Sequence, residues 1–165
     1  MQLSLAGVGL LLLSWSAAGA TYSSSILLPV SNRAVSDELF RLTSPNKGVT
    51  FDRDGDGTKE QTAWTAAGAD VGFLTLDRND NGTIDDGREL FGDHTYPGVD
   101  NGFEALSRTA RSFRRDNPPA AMVDSDNPLY QQLVIWVDRD HNGISAASEL
   151  SRVVDIYDVF CIVSN

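Results

Sequence analysis

The sequence predicts an α+β fold: a small single domain of short helices flanking acidic, glycine-containing loops, with brief β pairing. The chain has 165 residues, which is a one-domain length, and 41% of them are hydrophobic, enough for one modest core. A hexapeptide of alternating acidic or amide residues, ending in glycine, occurs three times. Apolar residues also recur at helical spacing between the second and third copies.

Negative charge is concentrated in the middle of the sequence. The formal net charge is −10, and residues 52–104 hold 13 acidic but only four basic side chains. Phosphates of nucleic acids and of anionic membranes repel such a chain, so we expect no nucleic-acid partner. Crowding like charges costs free energy unless cations neutralise them, and hard divalent cations are the natural candidates. The single cysteine excludes an intrachain disulfide framework.

The N-terminus has the pattern of a secretory signal peptide. Residues 3–13 are almost all apolar and precede the small-residue sequence Ala18-Gly19-Ala20. The alternative is a membrane anchor, but the apolar stretch is shorter than the roughly 20 residues of a spanning helix. We therefore predict a secreted protein that begins at Thr21, with no membrane span in the mature chain.

The rest of the chain is predicted to form one module with short extensions. The predicted parts are a signal peptide (1–20), a flexible lead-in with a short helix (21–48), a cation-binding module (49–158) and a C-terminal tail (159–165).

Local signals predict the elements of the module. Residues 101–115 read as a helix, because Asn101 and Glu104 resemble a capping box. A second helix is expected to begin at Pro128 and to lead into Asp138, because its apolar residues follow the spacing i, i+4, i+7, i+8. The apolar run 71–76 fits a strand or a helix. Brief β pairing is expected around Ile84 and Ile144.

The repeated hexapeptide is the motif that carries chemistry. Its pattern Asp-x-[Asp/Asn]-x-[Asp/Asn]-Gly begins at Asp52, Asp77 and Asp138, whereas a shuffled sequence of this composition would contain roughly 0.04 copies. Oxygens at positions 1, 3 and 5 of a tight loop converge, and glycine at position 6 allows the turn that adds the carbonyl of position 7. Calcium accepts six to eight such oxygens with flexible geometry, so Ca²⁺ is the expected cofactor and Mg²⁺ the weaker candidate.

The three loops, numbered in chain order and counted from their first aspartate, differ in completeness. The third has glutamate at position 12, and the second has aspartate at position 9 and glutamate at position 13. The first has no acid at position 12, and a contribution from Glu60 at position 9 stays open. For each loop the alternative is a solvated Asp/Gly turn. The predicted ligands, with Thr58, Thr83 and Ile144 acting through their carbonyls, are Asp52, Asp54, Asp56, Thr58, Asp77, Asn79, Asn81, Thr83, Asp85, Glu89, Asp138, Asp140, Asn142, Ile144 and Glu149.

The order of motifs resembles a known family. The motifs are FDRDGDG (51–57), TAW (62–64), GFL (72–74), LDRNDNGTID (76–85), GRELFGDHT (87–95), NGFEAL (101–106), WVD (136–138) and EL (149–150). This series resembles the calcium-binding module of bacterial RTX-type and iron-regulated secreted proteins, a family that includes calcium-dependent self-processing modules. The resemblance implies EF-hand-like calcium loops in a secreted protein.

Two departures limit what the resemblance implies. The family usually has a further Asp/Asn-Gly calcium loop where this chain has residues 114–127, which contain Asp124 and Asp126 but no glycine. Self-processing members cleave an Asp-Pro bond, and no proline of this sequence follows an aspartate. We therefore expect a calcium-binding protein that is not an enzyme. The alternatives are a self-processing module and a calcium-dependent adhesion or docking module, and the sequence identifies no protein or glycan partner.

Overall fold

The computed structural model describes residues 25–31, 40–114, 121–124, 126–157 and 162–164. The predicted signal peptide lies outside these residues, as do residues 21–24 and 32–39 of the lead-in, which include most of its predicted short helix at 36–42. None of the helices in the described ranges combines the length and the apolar character that crossing a bilayer requires.

Strands are the most numerous regular elements among the described residues. They are β1 (Leu27–Pro29), β2 (Val49–Phe51), β3 (Glu60–Thr62), β4 (Val71–Thr75), β5 (Ala121–Val123), β6 (Val134–Trp136), β7 (Leu150–Arg152) and β8 (Ile162–Ser164). The helices are α1 (Gly102–Ser112) and α2 (Val153–Ile156), and single 3₁₀ turns occur at Pro45–Lys47, Pro128–Gln131 and Ala147–Glu149.

The central sheet is antiparallel, with strand order β1-β4-β6-β7. All five residues of β4 are buried, and Phe73 of this strand pairs with Leu27 on one side and Trp136 on the other. A separate hairpin joins β2 to β3, with Phe51 opposite Glu60, and β5 pairs with β8. The hairpin therefore encloses the first loop, while the second and third loops leave the central sheet.

Two apolar clusters form the core. The larger packs α1 and the 3₁₀ turn at Pro128–Gln131 against the sheet. The smaller contains what we call the aromatic cluster, Phe51, Trp64, Phe73 and Trp136, all at most 2% exposed, with ring centroids 4.4 to 6.3 Å apart. Phe51 directly precedes the first loop and Trp136 lies two residues before the third. Burial of these rings therefore fixes the points where two of the loops begin.

The predicted α+β class, with short helices flanking the loops, is wrong. The described residues are mostly β, and among them only α1, with 11 residues, is longer than a single helical turn. The helix expected between Pro128 and Asp138 is a 3₁₀ turn followed by β6. Residues 134–136, Val-Ile-Trp, are β-branched and aromatic, and they hydrogen-bond as an inner strand between β4 and β7. A short apolar run cannot distinguish the two structures by periodicity alone.

The predictions for the first helix, the lead-in and the tail have different outcomes. The helix at 101–115 is confirmed as α1, and the Asn101 side chain accepts hydrogen bonds from the amides of Phe103 and Glu104. The Glu104 carboxylate instead accepts from Asp100 N, at 3.0 Å, one residue before the expected cap. Leu27–Pro29, in the predicted lead-in, is an edge strand, and Ile162–Ser164, in the predicted tail, pairs with β5.

Candidate metal centre

The three acidic loops share one backbone path. Each begins at or next to the end of a strand: the first after β2, the second after β4 and the third after β6. In each loop the residues at positions 4 and 6 have positive φ, a region that non-glycine residues rarely adopt. The φ values are 74°, 57° and 60° at position 4 (Gly55, Asp80, His141) and 92°, 80° and 69° at position 6 (Gly57, Gly82, Gly143). Within the described ranges Asp80 and His141 are the only non-glycine residues with positive φ, so the shared path is maintained even where the side chain disfavours it.

The position-1 aspartate organises each loop around its carboxylate. Its Oδ2 accepts a hydrogen bond from the position-6 glycine amide, and its Oδ1 accepts one from the position-5 amide. The Oδ2 distances are 2.8 Å (Asp52 to Gly57), 2.8 Å (Asp77 to Gly82) and 2.9 Å (Asp138 to Gly143), and the Oδ1 distances are 3.1, 3.2 and 3.0 Å. These carboxylates therefore face inward, and Asp52 and Asp138 are only 7% and 1% exposed.

A glutamate closes each loop by accepting a hydrogen bond from the position-2 amide. The distances from this amide nitrogen to the glutamate Oε1 are 2.9 Å (Arg53 to Glu60), 2.9 Å (Arg78 to Glu89) and 2.7 Å (Arg139 to Glu149). The closing glutamate stands at position 9 in the first loop, 13 in the second and 12 in the third. Glu60, whose contribution the sequence left open, therefore takes the closing place in the first loop, although it stands outside the predicted ligand set.

Carboxylate oxygens converge in the first and third loops. Asp52, Asp54 and Glu60 each place an oxygen within 4.8 Å of the others, and so do Asp138, Asp140 and Glu149. Oxygens that share one Ca²⁺ at 2.3–2.6 Å lie at most about 5 Å apart, so both sets fit this ion. In the second loop, amides replace two of the carboxylates, and the described residues form no three-acid cluster there.

Four other predicted ligands accept hydrogen bonds from backbone amides within their own loops. Asp56 and Asn142 each accept the amide two residues on, at 2.7 Å, and the Asn142 amide also donates to Asp140 at 2.8 Å. Asn81 accepts the amide of Thr83 at 2.8 Å. Asn79 accepts the amide of Asn81 at 3.0 Å.

The electrostatics of the loops favour a cation. Burial raises the pKa of Glu89 above its usual range, although two backbone amides oppose the shift. Desolvation, followed by the charges of Glu149 and Asp138, raises the pKa of Asp140. The hydrogen bond from Asn81 lowers the pKa of Asp85. For Glu89 and Asp140, whose charged forms are disfavoured mainly by desolvation and further by neighbouring carboxylates, a bound divalent ion would relieve that cost.

The loops also contact one another. Gly87 N, from the second loop, donates to Asp52 O at 2.8 Å, and a Cβ on Gly87 would lie 1.7 Å from the Arg53 carbonyl oxygen. Ile84 N donates to Ser145 Oγ at 2.7 Å, and that hydroxyl lies 3.3 Å from the Ile84 carbonyl oxygen. Of the brief β pairing expected around Ile84 and Ile144, the described residues show one isolated parallel bridge near Ile84, between Asp52 and Asp86. The contact between Ile84 and the third loop is made by the Ser145 side chain, and Ile144 is 60% exposed beside a groove of about 200 Å³ between the three loops.

Fold and site together define a β-rich domain whose acidic loops can hold metal ions. The profile of the SPM domain family matches residues 36–159, and the chain belongs to this family. The chain is also similar to the iron-regulated protein FrpA of Neisseria meningitidis serogroup C, with 34% identity over 109 residues. The match covers 66% of this chain but only 9% of that relative, so the chain corresponds to a small part of it.

Proposed function

We propose that the chain is a secreted calcium-binding module whose loops order the fold when they bind Ca²⁺. The observation that carries the proposal is the common loop geometry: an inward aspartate, left-handed turns at positions 4 and 6, and a closing glutamate. Two independent clusters of carboxylate oxygens with calcium-compatible spacing support it. The apolar N-terminal segment, which ends in Ala18-Gly19-Ala20, supports the secreted setting.

The proposed role is binding rather than catalysis. The acidic side chains are engaged in loop closure, with their oxygens directed at a common centre, instead of forming an isolated acid–base pair. Processing of an Asp-Pro bond within this sequence is not part of the proposal, since no proline here follows aspartate.

Calcium titration by calorimetry, with native mass spectrometry, tests the proposal. We expect at least two ions per chain, in the first and third loops, where three carboxylates converge, and a weaker site in the second. Extracellular modules often have dissociation constants of about 10⁻⁴ to 10⁻³ M, so the titration must reach millimolar calcium. Absence of bound calcium in that range would contradict the proposal.

A pair of variants in the third loop tests the ligand assignment. Glu149→Gln removes the charge of the closing residue and should weaken binding there. Ser148→Ala alters an exposed neighbour and should leave binding unchanged. Equal effects of the two substitutions would mean that the loop register is wrong.

A further inference from the structure

The aromatic cluster contains two buried tryptophans whose indole N–H groups have different surroundings. Trp64 Nε1 donates to Asp138 Oδ2 at 2.8 Å, across 74 positions of sequence, and the bond is buried. Trp136 Nε1 is buried as well, but it has no hydrogen-bond partner among the described residues. The two rings lie 5.3 Å apart and are 2% and 0% exposed, so they differ in hydrogen bonding far more than in packing.

The bond from Trp64 adds a donor that the other loops lack. Oδ2 of Asp138 accepts from both Trp64 Nε1 and Gly143 N, whereas Oδ1 accepts, among the described residues, from Asn142 N alone. Among the hydrogen bonds of the described residues, Oδ2 of Asp52 and of Asp77 each receive only the position-6 amide. With both donors on Oδ2, the Asp138 carboxylate is fixed in rotation, and Oδ1 retains free acceptor capacity toward the centre of the loop.

We propose that Trp64 is a positioning residue for the third loop, whose indole N–H holds the Asp138 carboxylate in the orientation that binds a divalent cation. The inference rests on the proposed function and names a residue outside the loop itself. Trp64 follows β3, so the hairpin that encloses the first loop also orients a ligand of the third. Groups that hydrogen-bond to metal ligands typically change metal affinity by about 10- to 100-fold when they are removed.

The test compares Trp64→Phe with Trp136→Phe by calorimetric calcium titration of the full chain. Both substitutions replace a buried indole by a smaller ring, but only the first removes a hydrogen bond to a carboxylate. We expect Trp64→Phe to weaken one site by about tenfold or more, and Trp136→Phe, which keeps a buried aromatic ring before the third loop and removes no hydrogen bond to a carboxylate, to cause a clearly smaller loss. Similar losses in the two variants, or no loss in either, would overturn the proposal.

A double-mutant cycle gives a readout that a packing effect would not produce. In an Asp138→Asn background, Trp64→Phe should cause a smaller further loss of affinity, because there is no longer a carboxylate for the indole N–H to orient. The same loss in both backgrounds contradicts the proposal.

The indole resonances provide a test that does not depend on folding of Trp64→Phe. In chain labelled with ¹⁵N-tryptophan and freed of metal, Asp138→Asn should move the Trp64 indole N–H signal more than that of Trp136. An unmoved Trp64 signal rejects the inference.

If the unmodified chain binds no calcium at all, the proposed function fails and this inference fails with it. If the unmodified chain binds calcium and the two tryptophan variants behave alike, only this inference fails.

Discussion

At the scale of single residues, the closing glutamate is the most informative feature of the loops. It serves the same position-2 amide in all three loops although its position number differs. The role of this glutamate is therefore defined by the hydrogen bond that it accepts from the position-2 amide, and not by its position number in the loop. The acid that returns to this amide depends on how tightly the backbone turns after position 6.

Glu60→Gln tests this role in the first loop. It removes one negative charge from the cluster with Asp52 and Asp54. We expect the calcium affinity of that site to fall about tenfold, or ~1.4 kcal/mol, as measured by calorimetry. Glu104→Gln, the same chemical change at an exposed position on α1, is the control. An unchanged first site in Glu60→Gln would show that Glu60 does not bind the ion.

Ser145→Ala tests the contact between the second and third loops. The substitution leaves the amide of Ile84, a residue 2% exposed, without its acceptor. An unsatisfied buried donor costs about 1–3 kcal/mol, so the midpoint of urea unfolding should fall accordingly. Ser148→Ala, at an exposed position, should leave the midpoint nearly unchanged. Identical midpoints for the two variants would mean that the Ser145 bond contributes nothing.

At the scale of elements, the loops pack closely on their neighbours. The amide of Gly87 binds the carbonyl of Asp52, and there is no room for a side chain between the second loop and the backbone of Arg53. The second loop therefore packs directly against the hairpin that encloses the first loop. Separation of the second loop from this hairpin would break the hydrogen bond between Gly87 and Asp52 and would expose the buried side of Asp52.

Gly87→Ala should force these two elements apart. The added methyl would overlap a backbone carbonyl, which cannot rotate away, and we expect a loss of roughly 3 kcal/mol in unfolding free energy. Gly98→Ala is the control, because Gly98 has open space but a φ of 80°, and its backbone strain should cost only about 1–2 kcal/mol. Denaturant unfolding of both variants measures the difference. A larger loss in Gly98→Ala would contradict the close packing.

What the sequence predicts correctly is local. The cap of α1 and the inward turn of each hexapeptide depend on residues within a few positions of one another. The strand β6 was predicted as a helix because its partners, β4 and β7, lie elsewhere in the chain and supply the hydrogen bonds that decide its conformation. Trp64 belongs to the same category, because its bond to Asp138 joins residues 74 positions apart, whereas Glu60 closes its own loop and is a local feature.

At the scale of the whole molecule, charge and fold are coupled. The acidic window carries 13 acids against four bases, and its loops are hydrogen-bonded to one another and to the core. Without cations, this arrangement holds like charges close together. Bound calcium would offset part of that charge and would favour only the folded loops.

We therefore predict that calcium and folding are coupled. A site that binds only the folded state adds about 2.7 kcal/mol at a hundredfold excess over its dissociation constant, so two sites add roughly 5 kcal/mol. That equals the lower end of the total stability of a small domain. The melting temperature should rise with calcium, and tryptophan emission should change, since Trp64 and Trp136 adjoin the loops. An unchanged melting temperature after chelation would refute the coupling, although calcium binding itself could stand.

The pairing of β4 with β6 has a kinetic consequence. Leu74 pairs with Ile135, so the centre of the sheet forms only after the loop of about sixty residues between these two strands has closed. A topology dominated by distant pairings places a domain among the slow folders, on the order of milliseconds to seconds. Until that closure occurs, β4, whose residues are all apolar or uncharged, has no covering strand on that side. The newly made chain is therefore most exposed to self-association in the interval before its last strands arrive.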